Sequence, residues 1–233
     1  GPGWWMPSGA WVSPGSLAAA LRASAGERAR FHLGRPVERI EREGSDWRAI
    51  DAGGSVIAEA PILIVANAVD AKRLAPEARL ALASVRGQVS FLPASASRTL
   101  EVIVSGSGYV APLPDGGHVV GATYQHNDHG EDVREADHRE NLARAGRMLP
   151  GFADGVSPAD LDGLAGFRTT VPDRLPIFGE SLLPGLWVAT GLGSRGLLWG
   201  PIGAELIVSR LEDEPAPLPR DLAGTLSPRR FLS

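Results

Sequence analysis

Cysteine is absent from the 233 residues of this sequence. Disulfide frameworks, thiolate metal sites and cysteine nucleophiles are therefore excluded. Long apolar runs are missing too, since no stretch approaches the roughly 18 uninterrupted apolar residues of a membrane helix. The first residues also lack the basic segment and apolar run of a signal peptide. These absences suit a cytoplasmic protein with no membrane span, which is what we expect.

Positive charge is not in surplus, because 23 Lys and Arg stand against 27 Asp and Glu, for a formal net charge of -4. This balance argues against a broadly basic nucleic-acid surface, although a local basic patch can lie within such an average. The chain is instead rich in turn formers, with 29 Gly and 19 Pro, and 43% of its residues are hydrophobic. We expect one large or two small domains in which many turns join short elements.

The most informative stretch is an apolar run at 186–190 that ends at three closely spaced glycines. Gly191, Gly193 and Gly196 match the G-x-G-x-x-G spacing, which leaves backbone N–H groups pointing outward at a helix N-terminus, where anionic ligands bind. A complete dinucleotide fingerprint also needs a second parallel strand, but the helix predicted at 201–211 leads into an acidic and proline-rich tail. The loop is therefore expected to contact a ligand held mainly elsewhere; a glycine turn without a ligand is the alternative.

The rest of the chain shows two different hydrophobic patterns, one up to residue 83 and another from Ser84. Up to residue 83, the apolar run at 60–68 predicts a strand in the middle of a parallel sheet, because it is apolar on both faces. Its small-residue exit at 66–68 would let the backbone approach a ligand at the carboxyl end of that strand. The other elements predicted in this part are helices at 16–23 and 76–83 and strands at 29–33, 37–43 and 47–51.

From Ser84 the pattern alternates as in an antiparallel sheet. A helix at 134–148 interrupts it, and on that helix we expect Asp137 to lie in solvent. The helix at 16–23 has an apolar stripe of Leu17 and Leu21 and is expected to pack on other elements. The strands of the antiparallel part are predicted at 85–91, 100–104, 108–113, 118–124 and 161–170.

Arg168 is the strongest candidate for substrate binding, because a guanidinium near a strand end can clamp a carboxylate through two parallel hydrogen bonds. The alternative for this segment is a salt bridge, for example Arg174 with Asp173 or Glu180. Arg195, within the glycine loop, could face either a ligand or solvent.

The histidines do not indicate a metal site. The acid-rich run at 125–132 lacks the spacing of a metal-binding helix and has no cysteine partners, so a solvated loop is the expectation. Ser194 has leucine at the position two residues before it, where a nucleophile elbow requires glycine, so no Ser-His-Asp arrangement can be placed. A hydrolase is therefore disfavoured.

Three motifs together resemble the D-amino-acid oxidase-like family of FAD-dependent amine oxidases, which includes glycine oxidase and sarcosine oxidase. They are Val-Ala-Thr-Gly-Leu-Gly-Ser-Arg-Gly-Leu at 188–197, Asp-Arg-Leu-Pro-Ile at 173–177 and Ile-Val-Ala-Asn-Ala at 64–68. Further segments are similar to the tRNA-modifying branch of this family: Gly-Tyr-Val-Ala-Pro-Leu at 108–113, Val-Gly-Ala-Thr-Tyr at 120–124 and Glu-Pro-Ala-Pro-Leu-Pro-Arg-Asp-Leu at 214–222.

The resemblance implies that FAD is the cofactor, that its flavin ring lies against the glycine loop, and that Arg168 holds a substrate carboxylate. In the tRNA-modifying branch the implied reaction oxidises a carboxymethylaminomethyl group on wobble uridine to aminomethyl. Dioxygen is the implied oxidant of the reduced flavin, and an N-terminal methyltransferase domain the implied partner. The residues implied to bind the cofactor are Ala66, Asn67, Ala68, Gly191, Leu192, Gly193, Ser194, Arg195, Gly196 and Leu197.

Two other functions remain open at this point. One is a small-molecule glycine, sarcosine or D-amino-acid oxidase, and the other is a non-catalytic interaction fragment of the same fold. The fold implied is a mixed α/β (α+β) one, a partial FAD-binding Rossmann-like domain with an inserted antiparallel substrate domain. Its expected parts are 1–83 (with a strand at Ile62–Ala66), 84–170 and 171–233. Because the family's ADP-binding fingerprint lies upstream of this sequence, we expect that half to be needed for holding FAD.

Overall fold

The computed structural model describes residues 3–231. Its helices, besides short 3₁₀ turns, are α1 (Pro14–Ala25), α2 (Ala71–Leu74), α3 (Glu135–Met148), α4 (Gly196–Leu211) and α5 (Arg220–Thr225). Its strands are β1 (Arg39–Glu43), β2 (Asp46–Ile50), β3 (Val56–Ala60), β4 (Leu63–Val65), β5 (Ala83–Leu92), β6 (Val104–Ser105), β7 (Tyr109–Pro112), β8 (His118–Gly121), β9 (Gln125–His126), β10 (Asp162–Thr170), β11 (Ile177–Glu180) and β12 (Leu186–Thr190). This mixture of helices and sheets confirms the predicted fold class.

The chain forms two compact units. The first combines the chain up to Gly26 with Val85–Phe167, and the second combines Glu27–Ser84 with the chain from Arg168 onward. Each unit thus takes residues from two separate stretches of sequence. The first unit therefore includes the residues up to Gly26, which the sequence-based division assigned to the 1–83 part, and the assignment of 1–83, 84–170 and 171–233 to cofactor and substrate domains stays a prediction.

An antiparallel sheet forms the centre of the first unit, with strand order β10-β5-β8-β7-β6 and β9 paired to β5. A tight turn joins β7 to β8, since the N–H of Leu113 donates to the carbonyl of Gly117 at 2.8 Å. Gly116 has φ +83°, which a glycine adopts without strain. Apolar side chains from the strands, from α3 and from Phe152 form the core of this unit.

Two predictions for the first unit are wrong. Asp137 is buried at 1% exposure instead of lying in solvent, because its carboxylate pairs with the buried guanidinium of Arg86. No residue of α1 is buried, and Leu21 is 62% exposed. The helix itself is confirmed, since the Ser13 hydroxyl accepts a hydrogen bond from the N–H of Ser16 and Pro14 stands in its first turn.

The second unit contains two small sheets. One is the antiparallel meander β1-β2-β3, and the other has the order β11-β12-β4, with β12 antiparallel to β11 and parallel to β4. Trp47 of β2 donates from its indole Nε1 to the carbonyl of Pro184 at 3.1 Å, which connects the meander to the turn before β12. Residues 29–33, predicted as a strand, form none, and the helix predicted at 76–83 is reduced to a 3₁₀ turn at Pro76–Ala78.

The apolar strand predicted in the middle of a parallel sheet is parallel but lies at a sheet edge. Within residues 3–231, β4 pairs only with β12, and Ile62 and Ile64 are 42% and 44% exposed. An apolar sequence predicts that both faces of a strand are covered by apolar residues. It does not show which neighbouring elements cover them. The position of β4 in the sheet was therefore wrong and its direction correct.

Helix α4 begins at Gly196, five residues before the predicted start at Pro201. Proline is common in the first turn of a helix, and that preference led to the prediction. Here the proline lies inside the helix, where it forfeits one backbone hydrogen bond. In the described part of the chain, no helix combines the length and the apolar character needed to span a bilayer.

Candidate functional site

The candidate site begins where two parallel strands end. Leu186, Trp187 and Val188 of β12 pair with Leu63, Ile64 and Val65 of β4. Because the strands run in the same direction, the segments that follow them, 66–68 and 191–197, emerge at the same edge of the sheet. The carboxyl ends of parallel strands are the usual place for ligands in such sheets.

A side-chain hydrogen bond joins these two segments. The hydroxyl of Thr190, the last residue of β12, donates to the carbonyl oxygen of Ala68 at 2.9 Å. Thr190 is 2% exposed, so the donor of this bond is shielded from solvent, whereas Ala68 is exposed. Ala68 adopts a φ of +57°, and the Asn67 amide donates to the Asp70 carboxylate at 3.2 Å. The backbone at 66–68 is thus held beside the start of the glycine loop.

Two glycines shape the loop itself. Gly191 has φ +75°, and a Cβ atom placed on it would lie 2.8 Å from Cγ2 of Val171. Gly193 has φ +57° with open space where a Cβ would point, and its N–H donates to the carbonyl of Thr169 at 2.9 Å. Any larger residue at Gly191 would collide with its neighbour, whereas Gly193 needs glycine for its backbone conformation.

Arg168 precedes Thr169 in β10 and is half-buried. The bond between Gly193 and Thr169 therefore brings the Arg168 segment to the glycine loop, just as the Thr190 bond brings 66–68 there. Among the site residues predicted from the sequence, Gly191 is buried and Leu192, Gly193, Gly196 and Arg168 are half-buried, while Ala66, Asn67, Ala68, Ser194, Arg195 and Leu197 are exposed. The structure brings all three predicted segments together.

The salt bridges considered as an alternative in this region are not the ones that form. Asp173 pairs with Arg230, whose Nε lies 2.7 Å from its carboxylate, and Glu180 lies 3.7 Å from Arg229. The hydrogen bond from the Arg230 guanidinium holds the pKa of the Asp173 carboxyl below its usual value, with a smaller contribution from the N–H of Leu175. Asp173 therefore stays ionised, with an arginine beside it to balance its charge.

The N-terminus of α4 opens toward the same edge. Arg195 is its N-cap residue, and no side-chain hydrogen bond from Arg195 caps the helix. The N–H groups of Leu198 and Trp199 both donate to the Arg195 carbonyl at 3.0 Å, which fixes the first turn. Partial positive charge collects at such a helix end, so a ligand carrying or developing negative charge is favoured there.

The strand-loop-helix unit lacks the partner strand of a full dinucleotide-binding motif. After α4 the described chain continues through a proline-rich segment into α5 and a last 3₁₀ turn, with no further strand up to residue 231. The geometry therefore offers a platform for one end of a cofactor: small residues at 66–68, a glycine loop and an open helix end. A pyrophosphate group would need a second such loop.

Sequence reasoning missed the residues that hold the site together. Thr190 and Thr169 make the two connecting hydrogen bonds, and neither stood out in the sequence because a single threonine at a strand end is common. Within residues 3–231, no group of three His, Asp or Glu side chains is placed to hold an ion. His118 and His138 are buried, at 1% and 2% exposure, and do not belong to the solvated loop.

Comparison with known families and curated proteins agrees with this geometry. Residues 1–210 match the family described as FAD dependent oxidoreductase. The chain is 43% identical to the tRNA 5-methylaminomethyl-2-thiouridine biosynthesis bifunctional protein MnmC of Paraburkholderia xenovorans, over 99% of this chain and 39% of that protein. It is 44% identical to the protein of the same name from Burkholderia vietnamiensis, over 93% of this chain and 37% of that protein. The chain thus spans about two fifths of the length of these relatives.

Solved structures show the same fold. Glycine oxidase from Geobacillus kaustophilus superposes with a TM-score of 0.73 at 24% identity, covering 87% of this chain and 55% of that one. Iminodiacetate oxidase from Chelativorans sp. BNC1 superposes with a TM-score of 0.74 at 25% identity, covering 92% and 58%. Both structures match a little over half of their own length.

Proposed function

The chain belongs to the family of FAD-dependent oxidoreductases, and from that premise we propose that it carries the flavin-binding end of an amine oxidase acting on a modified wobble uridine of tRNA. The observation that carries the proposal is the convergence of three segments at one sheet edge, fixed by the hydrogen bonds Thr190 to Ala68 and Gly193 to Thr169. The identity of 43% to a protein named for 2-thiouridine biosynthesis in tRNA favours tRNA over a free amino acid.

The residues present fit the flavin end of FAD. The open N-terminus of α4, with no side chain of Arg195 capping it, suits the negative charge of a reduced flavin. The backbone at Gly193 has open space beside it, and the side chains at 66–68 are small, so a planar ring can approach both. The residues proposed to hold the cofactor are Ala66, Asn67, Ala68, Gly191, Leu192, Gly193, Ser194, Arg195, Gly196 and Leu197.

Bound FAD would supply a two-electron acceptor for a hydride from the carbon next to the substrate nitrogen. The contribution of this chain is to bind and orient the substrate. Arg168 is proposed to hold the carboxylate of the carboxymethylaminomethyl group, because a guanidinium fixes a carboxylate in distance and in angle. Hydrolysis of the oxidised product would leave the aminomethyl group on the uridine, and dioxygen is the proposed final oxidant.

The proposed partner domain and cellular compartment rest on the relatives and the family. A protein called bifunctional carries a second activity, and we propose an N-terminal methyltransferase domain for it, outside this chain. The proposed compartment is the cytoplasm. A glycine- or sarcosine-type oxidase is the competing assignment for the same site, and the experiment below separates the two.

Substitution of Arg168 tests the proposal in the natural full-length protein. Arg168→Ala should lower kcat/KM on tRNA bearing the carboxymethylaminomethyl group by roughly 10- to 100-fold, mainly through KM, because a charged hydrogen bond is worth about 1.5–3 kcal/mol. Flavin content, read from visible absorbance, should not change. Product formation is measured by mass spectrometry of the digested nucleosides.

Arg174→Ala is the matched control, since Arg174 is an exposed arginine in the same segment. It should leave kcat/KM within about twofold, the range expected for a surface substitution. An unchanged kcat/KM in Arg168→Ala would show that Arg168 does not bind the substrate carboxylate. Turnover of free glycine or sarcosine in preference to the tRNA would replace the proposed substrate by the small-molecule alternative.

A further inference from the structure

A second concave site lies in the same unit as the glycine loop, near the other end of α4. It is a cavity of about 650 Å³ between β11, β12, the end of α4 and the C-terminal segment. Three arginines and one glutamate supply its charges, and Trp187 and Leu218 form part of its apolar wall; the charged residues are Arg210, Arg220, Arg229 and Glu180. None of the four charged residues is among those proposed to hold the cofactor or the substrate.

The positive charges of this cavity are only partly balanced. Glu180 accepts a hydrogen bond from the N–H of Gly185 at 3.0 Å and lies 3.7 Å from Arg229. Arg210 and Arg220 form no ion pair with any carboxylate in residues 3–231. A concave surface with surplus guanidinium charge attracts anions, and its apolar wall strengthens the attraction by lowering the local dielectric.

Arg210 is held in place rather than free to turn away. Its guanidinium donates to the carbonyls of Phe178 at 3.4 Å and Ala223 at 3.2 Å. Arg210 is exposed as a whole, and burial of the inner part of its side chain lowers the pKa of the guanidinium. Because two carbonyl groups fix its orientation and no carboxylate pairs with it in the described chain, this guanidinium is positioned to bind an incoming anion.

We infer that this cavity binds a phosphodiester group of the RNA substrate, with Arg220 and Arg210 as the ligands. The inference rests on the proposed tRNA substrate. A protein with a net charge of -4 that acts on a polyanion must concentrate its cations locally. Arginine suits this task, because its planar fork matches two phosphate oxygens.

The position of the cavity fits an RNA that is already engaged at the glycine loop. The loop lies at the first turn of α4 and Arg210 lies in its last turn. A helix of 16 residues is about 24 Å long at 1.5 Å per residue. An RNA arm carries a phosphate at every nucleotide, so an arm with one nucleotide at the loop can place a phosphate at that distance.

The test measures the affinity of the natural full-length protein for an unmodified tRNA transcript. Binding is detected by fluorescence anisotropy at several salt concentrations. Arg220→Glu should weaken binding roughly tenfold at low salt, and the slope of log K against log salt should fall by about 0.7–0.9 for the lost phosphate contact. Arg220→Lys keeps the charge but loses the planar fork, so its affinity should lie between those of wild type and Arg220→Glu. Arg220 is exposed, so neither change disturbs the core.

Arg42→Glu provides the matched control, because Arg42 is an exposed arginine of β1 in the same unit and the substitution changes the net charge equally. It should leave affinity within about twofold. In turnover, Arg220→Glu should raise KM for tRNA and leave kcat unchanged.

The outcomes separate this inference from the proposed function. If wild type oxidises the tRNA and Arg220→Glu binds it as well as Arg42→Glu does, the phosphate site is wrong and the proposed function stands. If wild type does not bind tRNA, the proposed substrate is wrong and the phosphate site falls with it. If Arg220→Glu loses affinity, Arg220→Lys recovers part of it and Arg42→Glu is unaffected, both are supported.

Discussion

Arg86 and Asp137 form a buried ion pair at the centre of a hydrogen-bond network. The guanidinium of Arg86 is fully buried and lies 2.6 Å from the Asp137 carboxylate. It also donates to the carbonyl of Gly130 at 2.7 Å and to the amide oxygen of Gln125 at 2.8 Å. Gln125 in turn donates to Asp137 at 2.7 Å. The polar groups of this network are hydrogen-bonded to one another, so loss of the Asp137 charge would leave the buried Arg86 guanidinium without a counter-ion.

Asp137→Asn should therefore destabilise the protein by about 3 kcal/mol, since breaking a buried ion pair from one side costs roughly 3–5 kcal/mol. The measurement is the free energy of unfolding from urea denaturation. Glu135→Gln is the control on the same helix, because it makes the same carboxylate-to-amide change in an exposed ion pair with Arg139. It should cost about 0.5 kcal/mol or less. Equal effects of the two substitutions would show that the burial of Asp137 does not matter.

At the scale of single residues, the sequence points to candidate ligand-binding residues, which stay predictions, and it does not reveal the residues that hold them in place. Arg168 and the glycines were identified because their residue types and spacing are unusual. Asp137 was misplaced because it stands among charged residues of α3, and periodicity cannot reveal a partner 51 positions away in the chain. Thr190 was missed for the same reason, since its acceptor is the carbonyl of Ala68, far away in sequence.

At the scale of secondary structure, the succession of β12, the glycine loop and α4 positions the candidate site in the second unit. The helix packs on the sheet through Gly203, where a Cβ atom would lie 2.1 Å from the ring of Phe178. Phe178 belongs to β11 and is 2% exposed, so its ring has no room to move away. The absence of a side chain at Gly203 lets helix and sheet approach closely, and this approach positions the N-terminus of α4 at the candidate site.

Gly203→Ala should lower the free energy of unfolding by roughly 1–3 kcal/mol, because overpacking forces the helix away from the sheet. The flavin content of the full-length protein should fall as well, since the loop before α4 would shift. Gly146→Ala in α3 is the control, as a Cβ atom there would meet nothing within 4 Å. Alanine should stabilise that helix by about 0.5–1 kcal/mol. A stable, flavin-loaded Gly203→Ala variant would contradict the packing argument.

Elements with a strong local signal were predictable, and those decided by their neighbours were not. The order strand, glycine loop, helix follows from an apolar run, three glycines and a helical repeat, and the structure has it. The first turn of α4 was missed because glycine at 196 and an interior proline at 201 both disfavour a helix, and packing on the sheet outweighs them. The edge position of β4 depends on which strands are available to pair with it.

At the scale of the whole molecule, three motifs carry the assignment to the family. The family and the mixed fold could be predicted because the motifs at 64–68, 173–177 and 188–197 resemble those of FAD-dependent amine oxidases, and the structure places all three near one sheet edge. The sequence does not reveal that β4 pairs with β12 alone in the described chain, where Ile64 of this strand and the preceding Ile62 are exposed. Nor does any second glycine loop stand beside a parallel strand in residues 3–231 to hold a pyrophosphate.

This arrangement makes a prediction about cofactor choice. FAD and FMN share the flavin ring, and only FAD has the ADP moiety. If the 233-residue chain offers binding groups for the flavin end alone, it should bind both with similar, weak affinity. The full-length relative from Paraburkholderia xenovorans, of which this chain matches 39%, should prefer FAD by roughly a hundredfold, because each charged hydrogen bond to the pyrophosphate adds about 1.5–3 kcal/mol.

Quenching of flavin fluorescence on titration measures both affinities for each protein. Gly193→Val in the chain should weaken FAD and FMN equally, since valine is strained at the φ of +57° and its side chain would fill the open space beside the loop. Gly54→Val, at another positive-φ glycine with open surroundings, controls for backbone strain alone. A chain that prefers FAD over FMN as strongly as the full-length relative does would mean that its own residues hold the pyrophosphate, and the glycine loop would then be the place to look for that contact.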